Sequence, residues 1–175
     1  VGSVKLSRHS RPNSERTRIL TFEWSGTERA QVPHSLSLGL PDGGVRGFRD
    51  ATSVGSRRAI FRLDEQLYLY SPGNFGDVGV SLFSDVGKLW AGDLPYGIDS
   101  RVRMSVGGSL LVAVPVRSSR MWRVDYAVPL NREPGGPQWE LRVSHRDVTT
   151  FFWRGPVDVG GARAGAGPAS VYSWP

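Results

Sequence analysis

The residues best suited to chemistry in this 175-residue chain lie in one short stretch, Gly43-Gly44-Val45-Arg46-Gly47-Phe48. The planar guanidinium of Arg46 matches the two oxygens of a carboxylate. The three glycines permit backbone angles that are closed to other residues, and Gly43 and Gly44 would serve as hinges. A solvated loop needs neither property, so we expect this loop tip to be pinned inside the protein. The glycine spacing fits neither the dinucleotide fingerprint nor the P-loop, which disfavours a nucleotide site.

No other set of side chains has the spacing of a catalytic or metal centre. His9, His34 and His145 are isolated and lack the H-x-x-x-H or carboxylate spacing of a metal site. No G-x-S-x-G occurs. Asp64 and Glu65 are adjacent, so in a strand they point to opposite faces and cannot work as an acid–base pair. Because cysteine is absent, thiolate chemistry and disulfides are excluded. The sequence predicts no enzyme, no metal and no cofactor.

The basic character of the chain does not indicate a nucleic-acid partner. The net charge is +6, carried by 20 arginines and two lysines. The arginines are spread singly, often at every other residue, and form no basic cluster interleaved with aromatics. Such spacing is typical of a polar sheet surface. No apolar run of about 18 residues exists, so no membrane-spanning helix is predicted. The chain does not begin with Met, and we expect a mature product or a C-terminal piece.

The elements that must position Arg46 are strands, because the dominant pattern is apolar–polar alternation between turn-forming clusters. Nothing indicates a helix. The fold class is therefore all-β, an antiparallel up-and-down meander with a long loop over about 26–56 and a Gly/Ala/Pro-rich tail over 154–175. About seven strands are predicted, at 1–10, 17–25, 57–70, 78–90, 103–114, 122–130 and 138–152.

Two architectures remain open at this point. Strands of this length exceed the usual five or six residues and match the roughly nine to eleven that cross a bilayer at a tilt. Aromatic residues near strand ends lie where interfacial girdles would be: Trp24, Tyr70, Trp90, Trp122, Phe151 and Trp153. The alternative is a soluble ligand-binding barrel or sandwich, with the apolar faces packed inward. Alternation defines the two faces but not which one meets water.

Five motifs in register, over about 36–130, give a resemblance to a known superfamily. Val45-Arg46-Gly47-Phe48, preceded by Leu36-x-Leu38-Gly39 and Gly43-Gly44, resembles the V-R-G-F/Y signature of the BamA/TamA assembly factors and of the two-partner secretion (TpsB) translocators. The segment 61–64 stands where that superfamily has an acidic strand residue. The segment 82–90 resembles its F-x-D-x-G-x-x-W motif, and 106–110 and 124–130 resemble the next two strands.

The resemblance implies a transmembrane β-barrel of about sixteen strands in the bacterial outer membrane. Residues 1–153 would be its C-terminal half, with the loop folded into the lumen, and the first strands and periplasmic POTRA domains would be missing. Its implied function is insertion of outer-membrane proteins or polypeptide translocation, with lipid and client polypeptides as partners. A membrane anchor for a missing N-terminal domain, such as a patatin-like hydrolase, is an alternative. Seven strands cannot close alone, so the missing half or symmetry mates must cover the edges.

The resemblance also implies a loop lock, in which Arg46 reaches Asp85 and stacks near Phe83, with Asp64 as a second carboxylate. By alternation these three partners share the polar face, and a buried arginine must be paired. Asp125 is expected to be another lumenal polar residue. One departure is that aspartate at position 64 replaces the usual glutamate, which shortens the reach by a methylene.

A second departure is at the end of the chain. The superfamily normally stops at a terminal aromatic residue that serves as an assembly signal. Here Phe152 or Trp153 would fill that role, and about twenty further residues follow, within 154–175.

Overall fold

The predicted all-β architecture is confirmed in a computed structural model, which describes residues 2–27, 36–39, 44–48, 53–73, 75–115, 120–131 and 138–147. Every regular element in these residues is a strand. None of them forms a helix long and apolar enough to cross a membrane. The strands are β1 (Gly2–Asn13), β2 (Arg16–Gly26), β3 (Leu36–Ser37), β4 (Val54–Gly55), β5 (Arg57–Tyr70), β6 (Asp77–Trp90), β7 (Arg103–Ala113), β8 (Arg120–Pro129) and β9 (Glu140–Asp147).

Seven of these strands form one antiparallel sheet in the order β1-β2-β5-β6-β7-β8-β9. The order follows the chain, as the meander prediction requires, and β1 and β9 lie at the two edges. The connections at one end of the sheet are short, whereas the other end carries the segments between β2 and β5, β6 and β7, and β8 and β9. That end is called the loop end below.

The structure corrects two of the predicted boundaries. The long loop predicted over about 26–56 includes two short strands, β3 and β4, which pair with each other. Strand β1 continues past Ser10 to Asn13 and includes Pro12. Proline is tolerated there because it lies in an irregularity of the β1–β2 pairing, between Ser10 and Asn13. Strand β9 is described up to Asp147, so the prediction for 148–152 lies outside the described residues, as do Phe152, Trp153 and the tail 154–175.

The two faces of the sheet differ sharply in polarity. The inner face, which we define as the face covered by loop residues 36–39 and 44–48, carries buried charged side chains such as Glu23, Arg58 and Asp85. The outer face carries exposed apolar side chains, of which Leu82 is 73% exposed and Val143 is 62% exposed. The alternation therefore assigns side chains to faces correctly. The polar face is the buried one, which is the opposite of what a soluble sandwich requires.

A small apolar cluster docks the loop on the inner face. It joins loop residues to Ile60 on β5 and Leu89 on β6, and its loop members are Leu36, Leu38, Val45 and Phe48. Within the loop, the Val45 backbone N–H donates to the Leu38 carbonyl at 2.8 Å. On β6, Gly87 leaves the space that Val45 occupies, since a Cβ at position 87 would overlap the Val45 side chain. The loop is thus packed against the sheet rather than projecting from it.

Candidate functional site

The tip of the docked loop is centred on an ion pair between Arg46 and Asp85. Arg46 Nε lies 2.7 Å from Asp85 Oδ2, and Nη2 lies 2.6 Å from Oδ1, which is the bidentate arrangement. The Arg46 backbone N–H also donates to Oδ2 at 3.2 Å. Asp85 is 0% exposed and Arg46 is 8% exposed. The guanidinium is therefore held by side chain and backbone at once, in a site that excludes bulk water.

Phe83 provides the surface on which this guanidinium rests. Phe83 and Asp85 are two residues apart on β6, so they share a face. The guanidinium carbon of Arg46 lies 3.5 Å from the centre of the Phe83 ring, a cation–π contact. Gly107 pairs with Phe83 on the neighbouring strand β7, and a Cβ at Gly107 would overlap the ring. A residue without a side chain at 107 is therefore what allows Phe83 to lie under Arg46.

Asp64 lies near Arg46 as a second carboxylate, but it is more distant than Asp85. Its Oδ2 is 3.5 Å from Arg46 Nη1, but it is 2.6 Å from Nη2 of Arg123 on β8. Arg123 also binds Asp125 through Nε at 2.5 Å, and Asp125 lies 3.9 Å from Arg46 Nη1. The main partner of Asp64 is thus Arg123, whose role the sequence reasoning missed. The sequence signal for Arg123 is its position two residues before Asp125, on the polar face of β8.

These residues form one buried ionic cluster, defined here as Arg46, Asp64, Asp85, Arg123 and Asp125. Burial by itself lowers the pKa of the Arg46 guanidinium, but the hydrogen bonds to Asp85 and the charges of the three carboxylates outweigh it and raise that pKa. Arg46 is therefore charged at every physiological pH. Removing Arg46 or Asp85 would break their direct pair and leave the other charge buried without its main partner, which typically costs about 3–5 kcal/mol.

The backbone of the loop tip is bound from two further sides. The Gly47 N–H donates to Glu140 Oε2 on β9 at 2.6 Å, and the Gly44 carbonyl accepts from Arg62 Nη2 on β5 at 2.9 Å. Gly47 has a φ of 87°, a left-handed angle that favours glycine. Gly43 lies outside the described residues, so its predicted hinge role is not assigned.

Arginines of the inner face also hold the base of the loop. Arg58 donates to the Ser37 carbonyl at 2.7 Å and to Glu23 Oε1 at 2.8 Å. The guanidinium of Arg103 lies 5.2 Å from the ring centre of Phe48. Phe48 and Val45 thus contribute apolar packing, while Arg46 and Gly47 contribute polar contacts. All four members of the V-R-G-F stretch contact the sheet or its side chains.

The arrangement is suited to holding a segment of chain in place. Among the residues that the structure describes, no group of three or more histidine, cysteine, aspartate or glutamate side chains could hold a metal ion. The carboxylates of the ionic cluster are engaged with arginines. What the site offers is a geometrically specific set of contacts with one loop.

Comparison with known proteins adds no relative. No protein-family model, no curated protein and no solved structure matches the chain. The class that fold and site define is therefore an all-β antiparallel sheet whose polar face binds a V-R-G-F loop through a buried ionic cluster. Any assignment within that class depends on the motifs and on the contacts described above.

Proposed function

We propose that this chain is part of an outer-membrane β-barrel that inserts nascent outer-membrane proteins or translocates secreted polypeptides. The observation that carries the proposal is the bidentate contact of Arg46 with Asp85 over Phe83. The resemblance to the BamA/TamA and TpsB superfamily implies this contact from sequence motifs alone. The presence of this contact supports a resemblance in side-chain arrangement as well as in short sequence motifs.

The polarity of the sheet supports a membrane location. Exposed apolar side chains cover the outer face, and an apolar patch of this kind on a protein surface marks a contact with lipid or protein. Strands β5 and β6 have 14 residues each, enough to cross a hydrocarbon core at a tilt. Short connections at one end and long ones at the other fit the periplasmic turns and extracellular loops of bacterial barrels.

The inner face fits the lumen of such a barrel. Barrel interiors are polar and are often plugged by a loop or another segment. Here buried arginines and carboxylates line the face on which the loop lies. The apolar cluster packs the loop against the same face. In a membrane, a charged inner face and an apolar outer face are both in their preferred surroundings.

The proposed mechanism involves no bond chemistry. The loop, held through Arg46, keeps the barrel in the conformation that accepts a client. The seam between the first and last strands of the barrel then opens, and an incoming strand pairs with its edge, a form of β-augmentation. In the described sheet β9 is an edge strand, and the resemblance implies that it is the terminal strand of the barrel. In a translocator, the client would instead pass through the lumen beside the loop.

The proposal is tested by replacing Arg46 in the full-length protein in cells that depend on it. Arg46→Ala should lower the amount of folded barrels in the outer membrane if the function is insertion, or of protein in the medium if it is secretion. Arg101→Ala is the matched control, because Arg101 is an exposed loop arginine outside the ion pairs described. Normal activity of Arg46→Ala, or purification as a monodisperse protein without detergent, would refute the proposal.

A further inference from the structure

The loop end of the outer face carries two cations beside two indoles. In the register of the sheet, Gly26, Arg57 and Trp90 form one row across β2, β5 and β6, and Trp24, Ala59 and Lys88 form the next. The residues of these rows that carry long side chains are defined here as the rim cluster: Trp24, Arg57, Lys88 and Trp90. Since they alternate with buried inner-face residues, all four lie on the outer face.

The rim cluster lies directly above an apolar surface. The next row away from the loop end is Phe22, Phe61, Val86 and Met104, paired across four strands. Phe22 and Phe61 are both exposed on this face. Within the cluster, the two indole rings lie 5.5 Å apart between centres at 49°, and Lys88 Nζ lies 5.3 Å from the Trp90 ring centre. Going away from the loop end along the outer face, cationic and indole side chains therefore come first and apolar side chains follow.

Among the residues that the structure describes, the two cations of the rim cluster, Arg57 and Lys88, form no ion pair. Glu23, on neighbouring β2, points to the inner face and binds Arg58, and the nearby loop carboxylate of Asp99 accepts the Ala91 N–H at 2.7 Å.

The other end of the outer face differs. There Glu65 forms ion pairs with Arg16 at 3.8 Å and Arg18 at 3.2 Å, which leaves a net charge of +1 on these three side chains. The cations of the rim cluster differ in lying beside indoles rather than beside a carboxylate.

We propose that the rim cluster binds the phosphate group of a phosphorylated lipid in the leaflet at the loop end. This inference rests on the membrane location in the proposed function. Tryptophan prefers the headgroup level of a bilayer, and arginine or lysine there attracts anionic lipid. Arg57 and Lys88 occupy diagonal positions on paired strands, about 7–8 Å apart, which lets both side chains reach one phosphate. The acyl chains then lie along Phe22 and Phe61.

The test measures lipid binding by the full-length protein in dodecyl maltoside, using native mass spectrometry. The probes are phosphatidic acid and phosphatidylcholine with identical acyl chains. We expect the protein to prefer phosphatidic acid. Arg57→Gln combined with Lys88→Gln should weaken phosphatidic acid binding about thirtyfold, from about fivefold for each cation, and leave phosphatidylcholine binding unchanged. Both side chains are at the surface, and heat-modifiable mobility on gels verifies that the variant folds.

The matched control is Arg16→Gln combined with Arg18→Gln, which removes the same charge from the other end of the outer face, where both arginines are ion-paired with Glu65. This control should change phosphatidic acid binding less than twofold. Equal lipid binding by the rim variant and the unaltered protein would overturn the inference. Competition by glycerol 3-phosphate at the concentration of the lipid would also overturn it, because the ligand would then be a soluble phosphate.

The outcome is separable from that of the proposed function. If Arg46→Ala abolishes client assembly while the rim variant binds lipid normally, the lipid site alone is wrong. If the rim variant loses phosphatidic acid while Arg46→Ala remains fully active, the proposed function alone is wrong.

Discussion

Replacing Arg46 with alanine removes the only loop side chain in the ionic cluster. Asp85, which is fully buried, then loses both hydrogen bonds to the guanidinium, and Asp64 and Asp125 are left to share Arg123. Breaking one side of a buried pair costs about 3–5 kcal/mol, which corresponds to roughly a hundredfold to a few thousandfold in the equilibrium between docked and released loop. The apolar cluster around Val45 remains, so we expect a loosened loop and an intact sheet.

Asp85→Ala should cause a similar loss, because it leaves the Arg46 guanidinium buried without its main partner. The double variant should lose little more than either single variant, since the two residues act as one unit. The assay is hydrogen exchange at the backbone amides of residues 44–48 in detergent, where the Val45 N–H is bonded to the Leu38 carbonyl. Arg46→Lys keeps the charge but not the bidentate fork, and should give an intermediate rate.

Two results would refute this reasoning. Additive effects of Arg46→Ala and Asp85→Ala would mean that the residues stabilise the loop independently. Unchanged exchange in Asp85→Ala would mean that the loop is held by the apolar cluster alone. Arg101→Ala, an exposed loop substitution, should exchange like the unaltered protein and so controls for the general effect of removing an arginine.

Three further predictions concern the surroundings of the loop tip. Glu140→Ala should lower the opening free energy for exchange of the Gly47 N–H by about 1–3 kcal/mol, because this donor loses its acceptor. Glu140→Gln keeps an acceptor oxygen and should restore most of the protection. Gly87→Ala should weaken loop docking by about 1–3 kcal/mol, since the new methyl overlaps Val45; unchanged exchange at residues 44–48 would contradict this. Arg123→Ala should lower the thermal midpoint of unfolding on heated gels more than Arg46→Ala, because it leaves two buried carboxylates without their closest cation.

The faces of the strands are predictable from the sequence because alternation has a strict period of two. Phe83 and Asp85 belong together for that reason, and so do Arg123 and Asp125. Neighbours across strands are not predictable in the same way, because they depend on register. Glu140 lies in the same row as Asp64 and Phe83 only through the successive pairings of β5 to β9. Its hydrogen bond to Gly47, 93 positions away, has no local signal.

Glu65 is a second residue whose partners across strands are not predictable from the sequence. It interrupts the apolar face of β5, and the sequence offers no explanation for a charge there. In the structure it is paired across strands with Arg18 and lies near Arg16, both on β2. The exception is therefore a cross-strand ion pair near the short-turn end of the sheet.

The contact between Gly47 and Glu140 has a consequence for the order of folding. The loop tip precedes β5 in the chain, yet the Gly47 N–H donates to Glu140 on β9, the final described strand. Contacts between residues so far apart form late, after the intervening chain has been organised. A fully seated loop is thus a sign that the strands from β5 to β9 have all paired, and a chain stalled before β9 would carry a loop with one anchor missing.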